Sequence, residues 1–333
     1  MAEGSRASST KHENGSNYMM GHSASEAERL DRQHIFFRHV VDGHLLSPAL
    51  GSAIQSGQIR RVLDIGTGTG IWCHEAAATL KEMDVPAPVK FVGIDIAENE
   101  HWKGHEDAYA TVHFQVTDLN DEVGMSKLTE QFGQFDLINS RMMISAVPNG
   151  KWAAYIRRMF NLLRPGGYVQ LFEADMINSN TGRSDDRTVA EALVITHAIY
   201  SGMGLDPETA VRLAGWLHQA GFTWVRDVAY WCNPVTRQAD GSLKIDDILY
   251  QWHSTAYGVL KPLFLKVRTS PQYSRFLEKL PPQAINNLGG TSADALLANE
   301  ADYEDFTRRH EAVLTSNPLY RTAFRLVIAQ RPQ

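Results

Sequence analysis

Scarcities set the first bounds on this 333-residue chain. It has two cysteines, Cys73 and Cys232, too few for a disulfide framework or a cysteine-rich zinc site, and a reducing compartment suits them. No apolar run approaches the roughly 20 residues a bilayer-crossing helix needs, and no signal-peptide pattern opens the chain. Runs of Lys and Arg are lacking, and the net charge of −6 leaves no nucleic-acid footprint. No internal repeat is evident, and no metal-ligand set stands out. The expectation is a cytoplasmic protein, with a nuclear location left open, that needs neither metal, membrane nor nucleic acid. What is present, 43% hydrophobic and 21% charged residues, is ordinary globular composition.

The organising stretch is Arg61 to Glu75, RVLDIGTGTGIWCHE. Val62, Leu63 and Ile65 read as a buried parallel strand. The run breaks at Gly66, Gly68 and Gly70, and a helix resumes at Ile71. Strand, glycine turn and helix open a βαβ nucleotide-binding unit. A dinucleotide fingerprint would place a glycine where Ile71 stands, and a phosphate loop would need Lys then Ser or Thr after Gly70. Both readings are weakened; a tight turn without a ligand is the remaining alternative.

The following segments add to the turn. Val89 to Ala97 is a second strand ending at Asp95 and Ile96, and a carboxylate at that tip suits a ribose diol. Val112 to Asp121 is a third, with Asp118 to accept from an exocyclic amine and Leu119 to cover a base. Phe135 to Met143 runs into Ser140 and Arg141. Leu162 to Glu173, LLRPGGYVQLFE, contributes a turn and a fifth strand.

On LDIGTGTGIW, VGIDIA, Ser140-Arg141 and LLRPGGYVQLFE, the chain resembles the class I S-adenosylmethionine-dependent methyltransferases. It is similar in particular to the fungal secondary-metabolite group that includes LaeA-like proteins. Two departures from that group are Asn139 ahead of Ser140-Arg141, where His is usual, and Asp118-Leu119-Asn120-Asp121 in place of an acidic loop followed by Trp. The resemblance implies a Rossmann-like α/β fold: a seven-stranded, mostly parallel sheet with helices on both faces and the last strand antiparallel. It also implies S-adenosylmethionine as cofactor. Asp64, Gly66, Gly68, Gly70, Asp95, Ile96, Asp118 and Leu119 are the expected cofactor residues, and Asp64, Asp95 and Asp118 would make the pocket acidic, as a sulfonium requires.

Residues 1–24 read as a disordered tail and 25–333 as one methyltransferase domain. Within it, 25–58 is an amphipathic helix, opened by a Ser25/Glu28 capping box, that packs on the sheet or forms a lid. Residues 59–175 form the cofactor core and 176–333 the substrate side. Asn178 to Arg187 reads as a polar loop, and an inserted helical cap spans about 241–317, its first helix, Ser242 to Lys266, interrupted at Pro262. Tyr320 to Ala329 reads as a strand added at the sheet edge.

In-line methyl transfer is mostly positioning; a hydroxyl acceptor also needs a base. Candidates for that base are Glu173, at the end of a central strand, His197, His218, His253 and Tyr257. Glu173 and His253 are the tentative catalytic pair, and Arg141, Glu173, His197, His253 and Tyr257 the candidate substrate-pocket residues. The expected function is methylation of a small-molecule O or N acceptor. Two alternatives stand beside it: a LaeA-like regulator acting through protein partners, and a methyltransferase fold put to non-methylating chemistry.

Overall fold

The computed structural model describes residues 24–179, 187–277, 280, 286–289, 291 and 295–333. The expected tail therefore lies outside the described residues except for Ala24, and most of the loop expected at 178–187 does too.

The chain enters through helix α1 (Ala24–Val40) and a short α2 (Gly51–Gln55), then alternates: β1 (Arg61–Ile65), α3 (Ile71–Glu82), β2 (Val89–Asp95), a two-residue β3 (His105–Glu106), β4 (Ala110–Val116), α4 (Glu122–Phe132), β5 (Phe135–Arg141), α5 (Trp152–Leu162) and β6 (Leu163–Ala174). It continues through α6 (Arg187–Gly202), α7 (Thr209–Ala220), β7 (Thr223–Cys232), β8 (Val235–Arg237), β9 (Leu243–Ile245), α8 (Asp247–Arg268), α9 (Tyr273–Leu277), α10 (Glu300–Ser316) and β10 (Thr322–Gln330). Ser25, expected at the cap, lies within the helical span.

The main sheet runs β3-β4-β2-β1-β5-β6-β10-β7. Its strand count is eight, not seven, because His105–Glu106 adds a short antiparallel edge to β4. β10 is antiparallel to both β6 and β7. It lies between them, not at the edge: Phe324, Leu326 and Ile328 face one layer while Val327 and Ala329 face the other, and that two-sided burial requires an interior position. β7 takes the edge, with Trp224, Val228 and Trp231 exposed.

Alternation along each strand separates two cores. Val62, Phe91, Leu137 and Phe172 pack with α1 and α3. Leu63, Ile65, Val92, Ile138 and Leu171 pack with α4, α5 and α7. A third core joins α6, α8, α9 and α10 above the sheet through Leu193, Tyr257, Phe264, Tyr303 and Phe306. The segment expected as a purely helical cap begins with strand β9, paired to β8. Pro262 does not interrupt α8: it sits on the exposed side, where the carbonyl freed at Gly258 can be hydrated, while buried Tyr257, Phe264 and Val267 hold both halves.

Candidate functional site

A cavity of about 1340 Å³ opens at the carboxyl ends of the parallel strands, bounded by the glycine turn, the tips of β2, β4 and β5, and helices α1, α6 and α8. Open α/β sheets bind ligands at this end, next to β1, where the strand order reverses.

The turn is built for close approach. Gly66 and Gly70 have φ of 71° and 81°, and a Cβ on Gly70 would fall 2.5 Å from the Phe114 ring. Its amides are engaged within the protein. Gly66 and Thr67 donate to the Ile94 carbonyl at 3.0 Å, Gly70 donates to Thr67, and Gly68 donates to Asp95 Oδ2 at 2.9 Å. A phosphate-binding loop points such groups at its ligand. Here the loop offers space and a neighbouring carboxylate, which fits a cationic nucleoside better than a polyphosphate.

Gly66, Gly68, Asp95, Ile96, Asp118 and Leu119 line this end of the cavity. Asp95 also accepts from the Ile96 amide at 2.7 Å, and Asp118 Oδ1 accepts from both the backbone and the side chain of Asn120. Asp64 and Gly70 do not line it. Asp64 is 2% exposed and accepts from Thr67 Oγ1 at 2.8 Å and Asn139 Nδ2 at 2.8 Å. It braces the turn from beneath, and burial pushes its pKa up. Gly70 is buried behind the turn against Phe114.

The base candidates separate sharply. Glu173 is 1% exposed, lies off the cavity wall, and accepts from the Met143 and Ile144 amides at 2.8 and 2.9 Å. It shapes the turn after β5, where Met142 adopts a φ of 55°. Burial raises its pKa to about 8 against the pull of those two amides. His197, with burial lowering its pKa to about 4, also lies off the cavity, and His218 is exposed on α7. His253, Tyr257 and Arg141 do line it. His253 Nε2 is 3.1 Å from Thr322 Oγ1, and burial lowers its pKa to about 3, so the ring is neutral and a weak base. Tyr257 packs edge-on against Phe306 and His310. Arg141 donates to His34 Nδ1 at 3.2 Å. Glu173, His197 and His218 are thus removed from direct contact with a ligand in the cavity.

Several contributors come from distant sequence. Trp102 stacks on Phe114, centroids 5.4 Å apart, and its Nε1–H donates to the Gly68 carbonyl at 2.8 Å. α1 seats on the turn: Thr69 Oγ1 donates to Asp31 at 2.7 Å, and Leu30 packs over Gly68. Phe36 of α1 stacks on Trp252 of α8 at 4.6 Å, and His39 meets Asp246 at 2.8 Å. α1 therefore bridges the strand tips and the helices above them. Only the periodicity of α1 was legible beforehand; a lone Trp102 in a polar loop carried no signal. Among the described residues no group of His, Cys, Asp and Glu could hold a metal ion, and no helix is long and apolar enough to cross a membrane.

A methyltransferase-domain family matches residues 32–226. A Penicillium methyltransferase, grgD, is 30% identical over 207 residues, covering 60% of this chain and 68% of that one. The Claviceps purpurea N-methyltransferase tcpN is 25% identical over 198 residues, 59% and 66% of the two chains. The secondary metabolism regulator LAE1 of Pyricularia oryzae is 27% identical over 281 residues, 80% and 79% of the two. The chain belongs to the methyltransferase-domain family and is similar to fungal methyltransferases.

Proposed function

We propose that the protein methylates a small-molecule oxygen or nitrogen acceptor held between the strand tips and helices α1, α6 and α8. The observation that carries this reading is the single continuous cavity. At about 1340 Å³ it exceeds the roughly 300–1,000 Å³ of a one-ligand pocket and leaves room for an acceptor beside the cofactor.

The two ends differ in chemistry. Glu26, Asp95, Glu98, Glu100 and Asp118 line the cavity from the first turns of α1 and the loops after β2 and β4. Bound there, S-adenosylmethionine supplies an activated methyl on a sulfonium. There Asp95 would hold its ribose, Asp118 and Leu119 its base, and Gly66 and Gly68 would leave room for its sulfonium-bearing chain. Met176, Tyr200, Trp252, Tyr257 and Leu260 line the other end, with His253 and Thr322 as polar points. Such a wall selects a largely apolar acceptor and excludes water, and its main contribution is alignment for in-line displacement. The neutral His253 can accept a hydrogen bond from the acceptor. It cannot strip a weakly acidic hydroxyl at neutral pH, so an amine or an acidic hydroxyl suits the site best.

The test is to incubate the protein, methyl-labelled S-adenosylmethionine and a fungal extract, then separate low-molecular-weight from protein fractions. Label in the small-molecule fraction is the expected outcome. The second reading, a regulator acting through protein partners, is favoured by the extent of the match to the Pyricularia regulator. Label confined to protein, or a stable partner without turnover, would establish it instead.

A further inference from the structure

Arg141 ends β5 at the cavity wall, yet among the described residues no carboxylate forms a salt bridge with it. Its hydrogen bond there is to an imidazole: Nη1–H donates to His34 Nδ1 at 3.2 Å. Asp64 attracts the guanidinium through space, but the oxygens of Asp64 already accept from Thr67 and Asn139. Trp72 lies 6.0 Å below the cation. A guanidinium has five N–H donors in a planar fork; Arg141 is half-buried at the cavity wall and its hydrogen bond to His34 uses one of them, which leaves donors facing the cavity for an anion. The parallel register sets Ser140 opposite Ile65, so Arg141 stands beside the first residue of the glycine turn. The ligand group matching a planar fork is a carboxylate.

We propose that Arg141 binds the α-carboxylate at the amino-acid end of the methyl donor, and that His34 of α1 orients the guanidinium to do so. The inference rests on the cofactor reading above and assigns the end of that ligand opposite Asp95. His34 is suited to the task because it is held on both sides. It is 2% exposed, and Nε2 is 3.0 Å from Glu75 Oε2 on α3, an oxygen that also accepts from Arg38 Nη1 at 3.1 Å. With its proton on Nε2, the ring donates to Glu75 and presents Nδ1 to Arg141; the tautomer follows from the network. Since His34 and Arg38 belong to α1, recognition of the carboxylate is coupled to the seating of that helix.

The experiment compares S-adenosylhomocysteine with 5′-methylthioadenosine, which keeps the nucleoside and thioether and lacks the amino-acid end. Affinities are measured by calorimetry on the full chain. Arg141→Met should weaken S-adenosylhomocysteine about 10–100-fold and leave methylthioadenosine unchanged. Arg141→Lys, a charge without the fork, should fall between. His34→Leu should reduce the preference for S-adenosylhomocysteine by about 3–10-fold. Hydrogen exchange should show α1 protected by S-adenosylhomocysteine and not by methylthioadenosine. Equal weakening of both ligands by Arg141→Met, or an unchanged ratio between them, overturns the assignment. Wild-type protein that binds neither ligand overturns the cofactor reading itself, a distinct result.

Discussion

The strand-tip half of the cavity and its helical half bury opposite kinds of titratable group. At the strand tips, Asp64 and Glu173 are buried acids whose pKa values burial raises, Glu173 to about 8. Above them, His197 on α6, His253 on α8 and His310 on α10 are buried bases lowered to about 4, 3 and 4, and His34 on α1, lowered to about 4, joins the halves. The difference shows in how each half responds to acid. A buried acid with a raised pKa stabilises fully at low pH and loses that contribution as pH rises towards 8. A buried neutral histidine costs nothing above about 6.5; below it the unfolded chain takes up a proton that the folded chain refuses until about pH 4. Acidification therefore favours the strand tips and undermines the helices.

The largest effect expected from this contrast is on stability between pH 6.5 and 5. Each of the four histidines can withdraw up to about 1.4 kcal/mol per pH unit, for a total on the order of 5 kcal/mol, offset in part by Glu173. Hydrogen exchange at pH 5 should show α6, α8 and α10 losing protection before β1 and β5. Uniform loss across both halves would break the comparison.

Next in size is Glu173→Ala, which strands the amides of Met143 and Ile144 and should cost about 2–6 kcal/mol of unfolding free energy. Chemical denaturation measures it. A variant of unaltered stability that had lost turnover would return Glu173 to the chemistry. Asp95→Ala leaves the Gly68 and Ile96 amides to water at the tip of β2 and should weaken S-adenosylhomocysteine binding by about 1.5–3 kcal/mol, or roughly 10–100-fold. An unchanged dissociation constant in calorimetry would move the ribose contact elsewhere. The smallest effect belongs to Trp102→Phe. It keeps the stack on Phe114 and loses the bond to the Gly68 carbonyl, so it should cost about 0.5–1.5 kcal/mol of cofactor affinity in the same assay.

The alternating strands, the glycine turn between β1 and α3, and the acids at the tips of β2 and β4 were all legible in the sequence. They are local: a few adjacent residues set strand, turn and helix, and the parallel register then carries Asp95 and Asp118 to the same edge of the sheet. What the acids do there was less local. Asp64 has the same chemistry as Asp95, but the strand's two-residue alternation and the bond from Asn139, 75 residues away, put it under the turn. Glu173 was readable as a strand-end carboxylate, and only folding supplied the two amides that engage it.

Residue order alone argued against a dinucleotide or a phosphate at the turn, because Ile71 and the lack of a following Lys are properties of neighbours in the chain. Tertiary structure decided the rest of the cavity. Its upper wall comes from α1, α6 and α8, whose faces are specified by packing against one another, and that wall is where the acceptor would lie. β10 likewise took an interior place in the sheet because both of its apolar faces needed cover, a requirement that no stretch of ten residues states by itself.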